Sequence, residues 1–366
     1  MSTERSETHD MDSGGSTMNS ITRLGESDAA LWRAFVDRCP LATEDHLLDA
    51  TKGESQGFES RAVGRREGDR IVCGAHIRIR REKLIPGCIV RMQGGGLYES
   101  LNSPEQLDEL LDAVAAEVRN DGPIFIEWSV RAPRIVDETE VPENRFIGEW
   151  LVRRGLEQAP LTEATYWVDI SSSEDEIMAR MHKNFRRDFR KAEREGVVVR
   201  PCTPDEVDQF YEMSAEMDRI KGLKETSYRL ASREAFTRYV RKVMAVNAGT
   251  LFCAEWQGAI RNMALVTTAG TPRYLYGATG AEARGDVKTP PTGQLLHWEI
   301  MRTLKACGHT TYDLGGTFAR VLQPDHPNYG VWQFKSRMGG KYIEFFPRHR
   351  LVCRPLLMSL YKRVKG

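Results

Sequence analysis

The sequence predicts an α/β (α+β) protein made of two units of similar order. Three observations carry this. Amphipathic helical patterns alternate with apolar strand-like runs from Ile21 onward, Gly-containing turns punctuate the strands, and an order of helix, strands, helix, strand in the first half has a counterpart in the second. A chain of 366 residues suits about two domains and can bury a large core without staples. Lys and Arg number 52, as do Asp and Glu, so the formal net charge is zero. That excludes attachment to nucleic acid by bulk charge, although a local basic surface stays open. With 40% hydrophobic and 28% charged residues, wholesale disorder is excluded too.

Residues 1–18 are rich in Ser, Thr, Gly and Asp and lack an apolar signal core, so they read as a disordered tail rather than a secretory leader. The first domain is expected over 19–160. It opens with a helix at Ala29–Cys39. Glu59–Arg66 and Arg70–Arg80 then form a hairpin across Glu67-Gly68-Asp69, and a strand at Cys88–Gln93 ends in Gly94-Gly95-Gly96. Ser103–Asn120 has a Ser cap, Pro at the first helical position and an apolar stripe, and Pro123–Val130 is a buried strand.

The second domain is expected over 161–341. Ala164–Ile170 is a strand, and Ser173 with Glu176 forms a capping box on one helix that runs to Glu195 and stops at Gly196. Val197–Val199 is a short strand, followed by helices at Asp205–Ile220 and Arg233–Ala248. Strands at Thr250–Trp256, Arg261–Thr268 and Arg273–Gly277 precede a helix at Gly293–Cys307 and a strand at Thr310–Leu314.

Seven Cys at 39, 73, 88, 202, 253, 307 and 353, with no C-x-x-C, argue against a disulfide framework or zinc ribbon and for a reducing, cytoplasmic setting. No run approaches 18 apolar residues. G-x-x-x-x-G-K-[ST], G-x-S-x-G and H-E-x-x-H are absent, which disfavours a Walker ATPase, an α/β-hydrolase and a zincin. No metal site is expected.

Five stretches in order carry a resemblance: Met181–Val199 (MHKNFRRDFRKAEREGVVV), Tyr274–Gly277 (YLYG), Leu295–Gly308 (LLHWEIMRTLKACG), Tyr312–Gly316 (YDLGG) and Gln333–Gly340 (QFKSRMGG). From about Arg61 onward the chain resembles the Fem (FemABX) family of aminoacyl-tRNA-dependent peptidyltransferases. The resemblance implies two facing GNAT-like (acyl-CoA N-acyltransferase-like) domains, with 342–366 returning to the first. It implies aminoacyl transfer from tRNA to the amine of a peptidoglycan precursor or a peptide natural product, aminoacyl-tRNA as co-substrate and no cofactor. A monomer is expected. Two departures matter. The long helical hairpin of the glycyl-transferring members has no counterpart in Gly196 to Arg261. The stretch before the Gly293 helix, RGDVKTPPTGQ, lacks an [RQ]-x-x-G-x-[GA] loop and holds two prolines where a CoA pyrophosphate would need N–H donors. An acyl-CoA-dependent N-acyltransferase is the alternative, and a non-enzymatic RNA- or precursor-binding protein is a third reading.

The resemblance also selects residues. Phe334 and Lys335 match the family's pair at the transfer site, where a Lys could hold a terminal phosphate or an oxyanion; otherwise they are a core Phe beside a surface Lys. Arg219, with Lys224 and Tyr228, matches a loop that contacts precursor phosphates; otherwise it is an unliganded basic loop. Tyr274 and Tyr276, alternating on a strand, would face one way, Tyr276 lining a substrate cleft. Asp313, before Gly315-Gly316, would orient a cation, bind substrate or cap the turn. Lys183, Arg187 and Arg190 belong to a cationic helix face that either meets tRNA phosphates or is merely solvated.

Overall fold

The computed structural model describes residues 20–49, 57–159, 163–220, 232–280, 289–317, 320–326 and 328–365. The expected tail lies outside them.

The first half runs β1 (Thr22–Arg23), α1 (Ala29–Arg38), β2 (Glu59–Glu67), β3 (Arg70–Arg81), β4 (Cys88–Tyr98), α2 (Pro104–Glu117), β5 (Pro123–Trp128), β6 (Pro133–Val136), β7 (Thr139–Glu140), α3 (Arg145–Arg153) and β8 (Glu157–Gln158). The second runs β9 (Ala164–Asp169), α4 (Glu174–Arg180), α5 (Lys183–Arg194), β10 (Val198–Pro201), α6 (Val207–Ile220), α7 (Arg233–Ala245), β11 (Gly249–Trp256), β12 (Ala259–Thr267), β13 (Arg273–Thr279), α8 (Thr292–Ala306), β14 (Thr311–Asp313), α9 (Tyr329–Ser336), β15 (Lys341–Phe345), β16 (His349–Val352) and α10 (Pro355–Lys365).

Two sheets result, in the orders β1-β2-β3-β4-β5-β16-β8 and β10-β11-β12-β13-β14-β9-β15-β6-β7. Each repeats one device. Antiparallel strands lead into a single parallel pair bridged by a helix: β4 and β5 across α2, β13 and β14 across α8. The second pair meets at Arg273 and Asp313. The chain also crosses between sheets. Strands β6 and β7 join the second sheet, and β16 returns to the first.

Three expectations are corrected. The strand expected to end at Gln93 continues through the glycines to Tyr98. They are needed for close approach: a Cβ on Gly94 would lie 2.4 Å from the His46 ring, and one on Gly95 2.6 Å from Ser129 O. The single helix from Ser173 is two helices. Met181 is extended (ψ 146°), and His182 N–H donates to Arg337 O (3.0 Å) rather than into a helix. His182 then starts α5 as its N-cap, Nδ1 accepting from Asn184 N–H. Third, Lys335, expected on a loop, lies on a helix, α9.

The second sheet is covered on both faces. On β11, Leu251 and Cys253 belong to a core with Phe210 and Phe236 of α6 and α7, while Phe252 and Ala254 pack with Leu296 and Ile300 of α8. The first of these cores also holds Trp32, Phe35 and Ile71, so the two halves share apolar interior.

Candidate active site

Side chains from the late part of the chain gather where β13 and β14 pair. Helix α9 brings Lys335 in, 6% exposed. Its Nζ donates to Gly315 O (3.2 Å) and Gly316 O (2.7 Å) and lies 5.7 Å from the centre of the Tyr274 ring. Gly315 must be glycine: its φ is +72°, and a Cβ would meet Tyr274 O at 2.3 Å. Burial pulls the Lys335 ammonium down to about 8, against an upward pull from Asp313 and with a downward push from Arg273. A lysine so placed is a cation at neutral pH yet close to giving up its proton.

Asp313 fixes the turn that holds it. Its Oδ1 accepts from Gly315 N–H (2.8 Å) and from the Thr165 hydroxyl, and its Oδ2 meets Arg131 Nη2 at 3.2 Å. Arg131 follows β5, so an ion pair from the first half of the chain reaches the turn under Lys335. Arg131 also lies 3.7 Å from Glu163 and 4.4 Å from the centre of the Phe345 ring. Nearby, Arg273 on β13 meets the buried Glu44 at 3.6 Å.

Below Lys335 is an aromatic floor. His297 on α8 is buried, its Nδ1 3.0 Å from Tyr312 Oη, and its ring meets Tyr274 edge-on at 4.6 Å. Burial, with Lys335 adding to it, holds the His297 ring neutral down to about 3, and burial lifts the Tyr274 hydroxyl to about 12. Phe334 packs on His297 (5.3 Å) and Phe185 (5.9 Å). It therefore braces α9 on α5 and α8.

Asp313, Phe334 and Lys335 are thus brought together. Tyr276 is not. A register shift between Leu265 and Val266 leaves Leu275 as the extra residue, so Tyr274 packs toward His297 and Tyr276 toward Phe236 of α7 (5.6 Å). The two tyrosines occupy opposite faces, contrary to simple alternation. Arg219 lies on the last turn of α6, exposed, and grips Glu216 with Nε (3.0 Å) and Nη2 (2.6 Å). Lys224 and Tyr228 lie outside the described residues. Lys183, Arg187 and Arg190 are exposed on α5, with Arg187 held by Asp188 (2.9 Å). Sequence reasoning missed Arg131, Thr165, His297 and Tyr312. His297 and Tyr312 lie inside the quoted stretches LLHWEIMRTLKACG and YDLGG without being singled out there, and Arg131 left a weaker signal, a cation directly after the apolar run PIFIEWSV. Among the described residues no group of three or more His, Cys, Asp or Glu side chains is placed to hold a metal ion.

Residues 179–335 match the family model described as an acetyltransferase (GNAT) domain. Among solved structures, FemX superposes with a TM-score of 0.79 at 16% identity, over 93% of this chain and 99% of that one. The chain has the Fem-family fold. A tandem GNAT protein from the clavulanic acid biosynthesis pathway also superposes, with a TM-score of 0.52 at 14% identity, over 91% of this chain and 98% of that one. In sequence, this Fem-like chain is 27% identical over 165 residues to the lipid II:glycine glycyltransferase of Staphylococcus epidermidis. That match spans 44% of this chain and 38% of the staphylococcal protein. The resemblance read from the five motifs is borne out, as is the reading of two GNAT-like units.

Proposed function

We propose that this chain is an aminoacyltransferase that moves an amino acid from aminoacyl-tRNA to the amine of a peptide acceptor, a peptidoglycan precursor or a peptide natural product. The observation that carries the reading is Lys335, a buried ammonium held by the carbonyls of the turn that follows β14. The Fem-like fold and the glycyltransferase relative support it. The reaction is aminolysis. The acceptor nitrogen attacks the ester carbonyl, the carbonyl oxygen takes up negative charge, the bond to the tRNA ribose oxygen breaks, and that oxygen leaves with a proton from the amine. The ester already holds the needed free energy, so the protein has only to align the partners and stabilise the oxyanion. Lys335 has three N–H groups and gives two to carbonyls; the third is available to the developing charge. The exposed cations of α5 are suited to the acceptor-stem phosphates.

The acyl-CoA alternative is weakened at the start of α8. Pro290 and Pro291 have no N–H, Thr292 N–H donates to Pro290 O (2.7 Å), and Gln294 N–H donates to Pro291 O (3.2 Å). A helix start that follows two prolines and has two of its first N–H groups already donating is a poor pyrophosphate cradle.

The test is incubation of the protein with pooled charged tRNAs and a panel of nucleotide-linked and free peptides, read by mass spectrometry. An acceptor gaining one amino-acid residue, in a product that requires charged tRNA, is the expected result. Products bearing an acyl group from CoA instead would replace this reading with the alternative.

A further inference from the structure

Helix α10 carries two apolar faces. Leu357, Met358 and Tyr361 pack inward on a cluster with Ile85, Ile124 and Phe125. Leu356, Leu360 and Val364 stand at i, i+4 and i+8, a second stripe along the same helix. They are 88%, 40% and 43% exposed. Ile85, in the loop between β3 and β4, belongs to the same cluster, and its next residue back, Leu84, is 78% exposed. Large side chains at this exposure, gathered at one end of the first sheet, mark an interaction surface rather than scattered surface apolarity.

Among the described residues, the charges around them that lack an opposite partner are cations. Arg81, Lys83, Arg354, Lys362 and Arg363 lie on the same loop and helix or next to them. The nearby acids are already engaged: Glu82 by Arg80, Asp121 by Arg61 and Arg81, and Glu157 by Lys362. Lys83, Arg354 and Arg363 have no acidic partner among the described residues. On α10, Arg363 falls beside Leu356 and Leu360 on the exposed arc.

We propose that this face docks on an anionic lipid surface. A bilayer boundary takes up the leucine stripe while its phosphates meet the flanking cations, which is how a basic amphipathic helix lies in an interface. A nucleic acid would meet the cations but leave the leucines in water. A second copy of the chain would cover the leucines but bring two cationic rims together. Among the described residues no helix is long and apolar enough to cross a membrane, so the mode is peripheral. The proposal is independent of the transfer reaction and needs no turnover to be tested.

The experiment is co-sedimentation of the full chain with phosphatidylcholine vesicles, with and without phosphatidylglycerol. Binding is expected to the anionic vesicles, to weaken with added salt, and to be slight on phosphatidylcholine alone. The double substitution Leu356→Ser and Leu360→Ser should lower the partition coefficient at least about tenfold. Arg354→Glu with Arg363→Glu should do likewise, at about fivefold or more per charge. The altered side chains are all exposed, so melting temperatures should hold; Val364→Ser serves as a milder substitute for any variant that melts early. Absence of vesicle binding, or binding that the leucine and arginine variants leave unchanged, overturns the proposal. So does a dimer in sedimentation velocity that the leucine variants dissolve.

Discussion

Lys335 answers to two opposed influences. Burial favours its neutral form, and Asp313 favours the cation. If the cation stabilises the oxyanion, Lys335→Ala should lower transfer by about 10²–10³ in a chain that still folds, and near-normal turnover would remove Lys335 from the mechanism. The same role fixes a pH dependence. Activity should fall as pH rises through about 8, the point to which the ammonium is drawn down. Asp313→Asn removes the upward pull, so the falling limb should move to lower pH; a rate loss with an unmoved limb would mean that Asp313 only braces the turn. A second pH effect concerns stability. Burial holds His46 neutral down to about 4, and His76 and His297 down to about 3. In the unfolded chain the same rings take up protons below about 6.5. Between these values the unfolded state binds more protons, so stability should fall as pH falls from about 6.5 toward 4. Urea titrations across that range should show the slope, and His297→Gln should reduce it by about one proton.

At the scale of elements, local chemistry was legible and long-range contact was not. The hairpin turning at Gly68-Asp69, the α2 start at Pro104 and the capping box at Ser173 were all readable, because each is decided by residues within a few positions. The break between α4 and α5 was not, because its cause lies more than 150 residues downstream. Gly339 has φ +78°, and a Cβ there would sit 2.8 Å from the Arg180 carbonyl. A tight turn thus presses on the junction where a local reading continues the helix. Gly339→Ala should cost about 1–3 kcal/mol, measured by chemical denaturation; a neutral result would show that the turn relaxes freely. The same limit explains the tyrosines, since the bulge at Leu275 is set by pairing with β12 and not by the YLYG pattern. Helix α5 itself offers a test of the tRNA assignment. Arg187→Glu with Arg190→Glu should weaken tRNA binding and flatten its salt dependence by about 0.7–0.9 per lost phosphate contact. An unchanged slope would make this a solvated face.

For the whole molecule, a net charge of zero hides a strong local organisation. Cations are gathered on α5 and in the interior, where Arg131 and Arg273 pair with carboxylates drawn from both halves of the chain. The duplicated order of elements was visible in the sequence; the crossing strands β6 and β16 and the shared core were not, because both depend on contacts between halves. The start of α8 bears on the proposed choice of donor. A CoA pyrophosphate needs several backbone N–H groups aimed from a helix start. Pro290 and Pro291 stand just before α8, and the N–H groups of Thr292 and Gln294 already donate to Pro290 O and Pro291 O. Each charge-assisted bond that cannot form costs about 1.5–3 kcal/mol, so two such losses weaken CoA by roughly two to four orders of magnitude. An aminoacyl-tRNA needs no such cradle, because its phosphates can be met by side chains on an open face. Calorimetry should therefore detect no micromolar binding of acetyl-CoA, and transfer should be abolished by RNase and indifferent to CoA. Tight CoA binding at α8 together with RNase-resistant acyl transfer would make the molecule an acyl-CoA enzyme on a Fem-like frame.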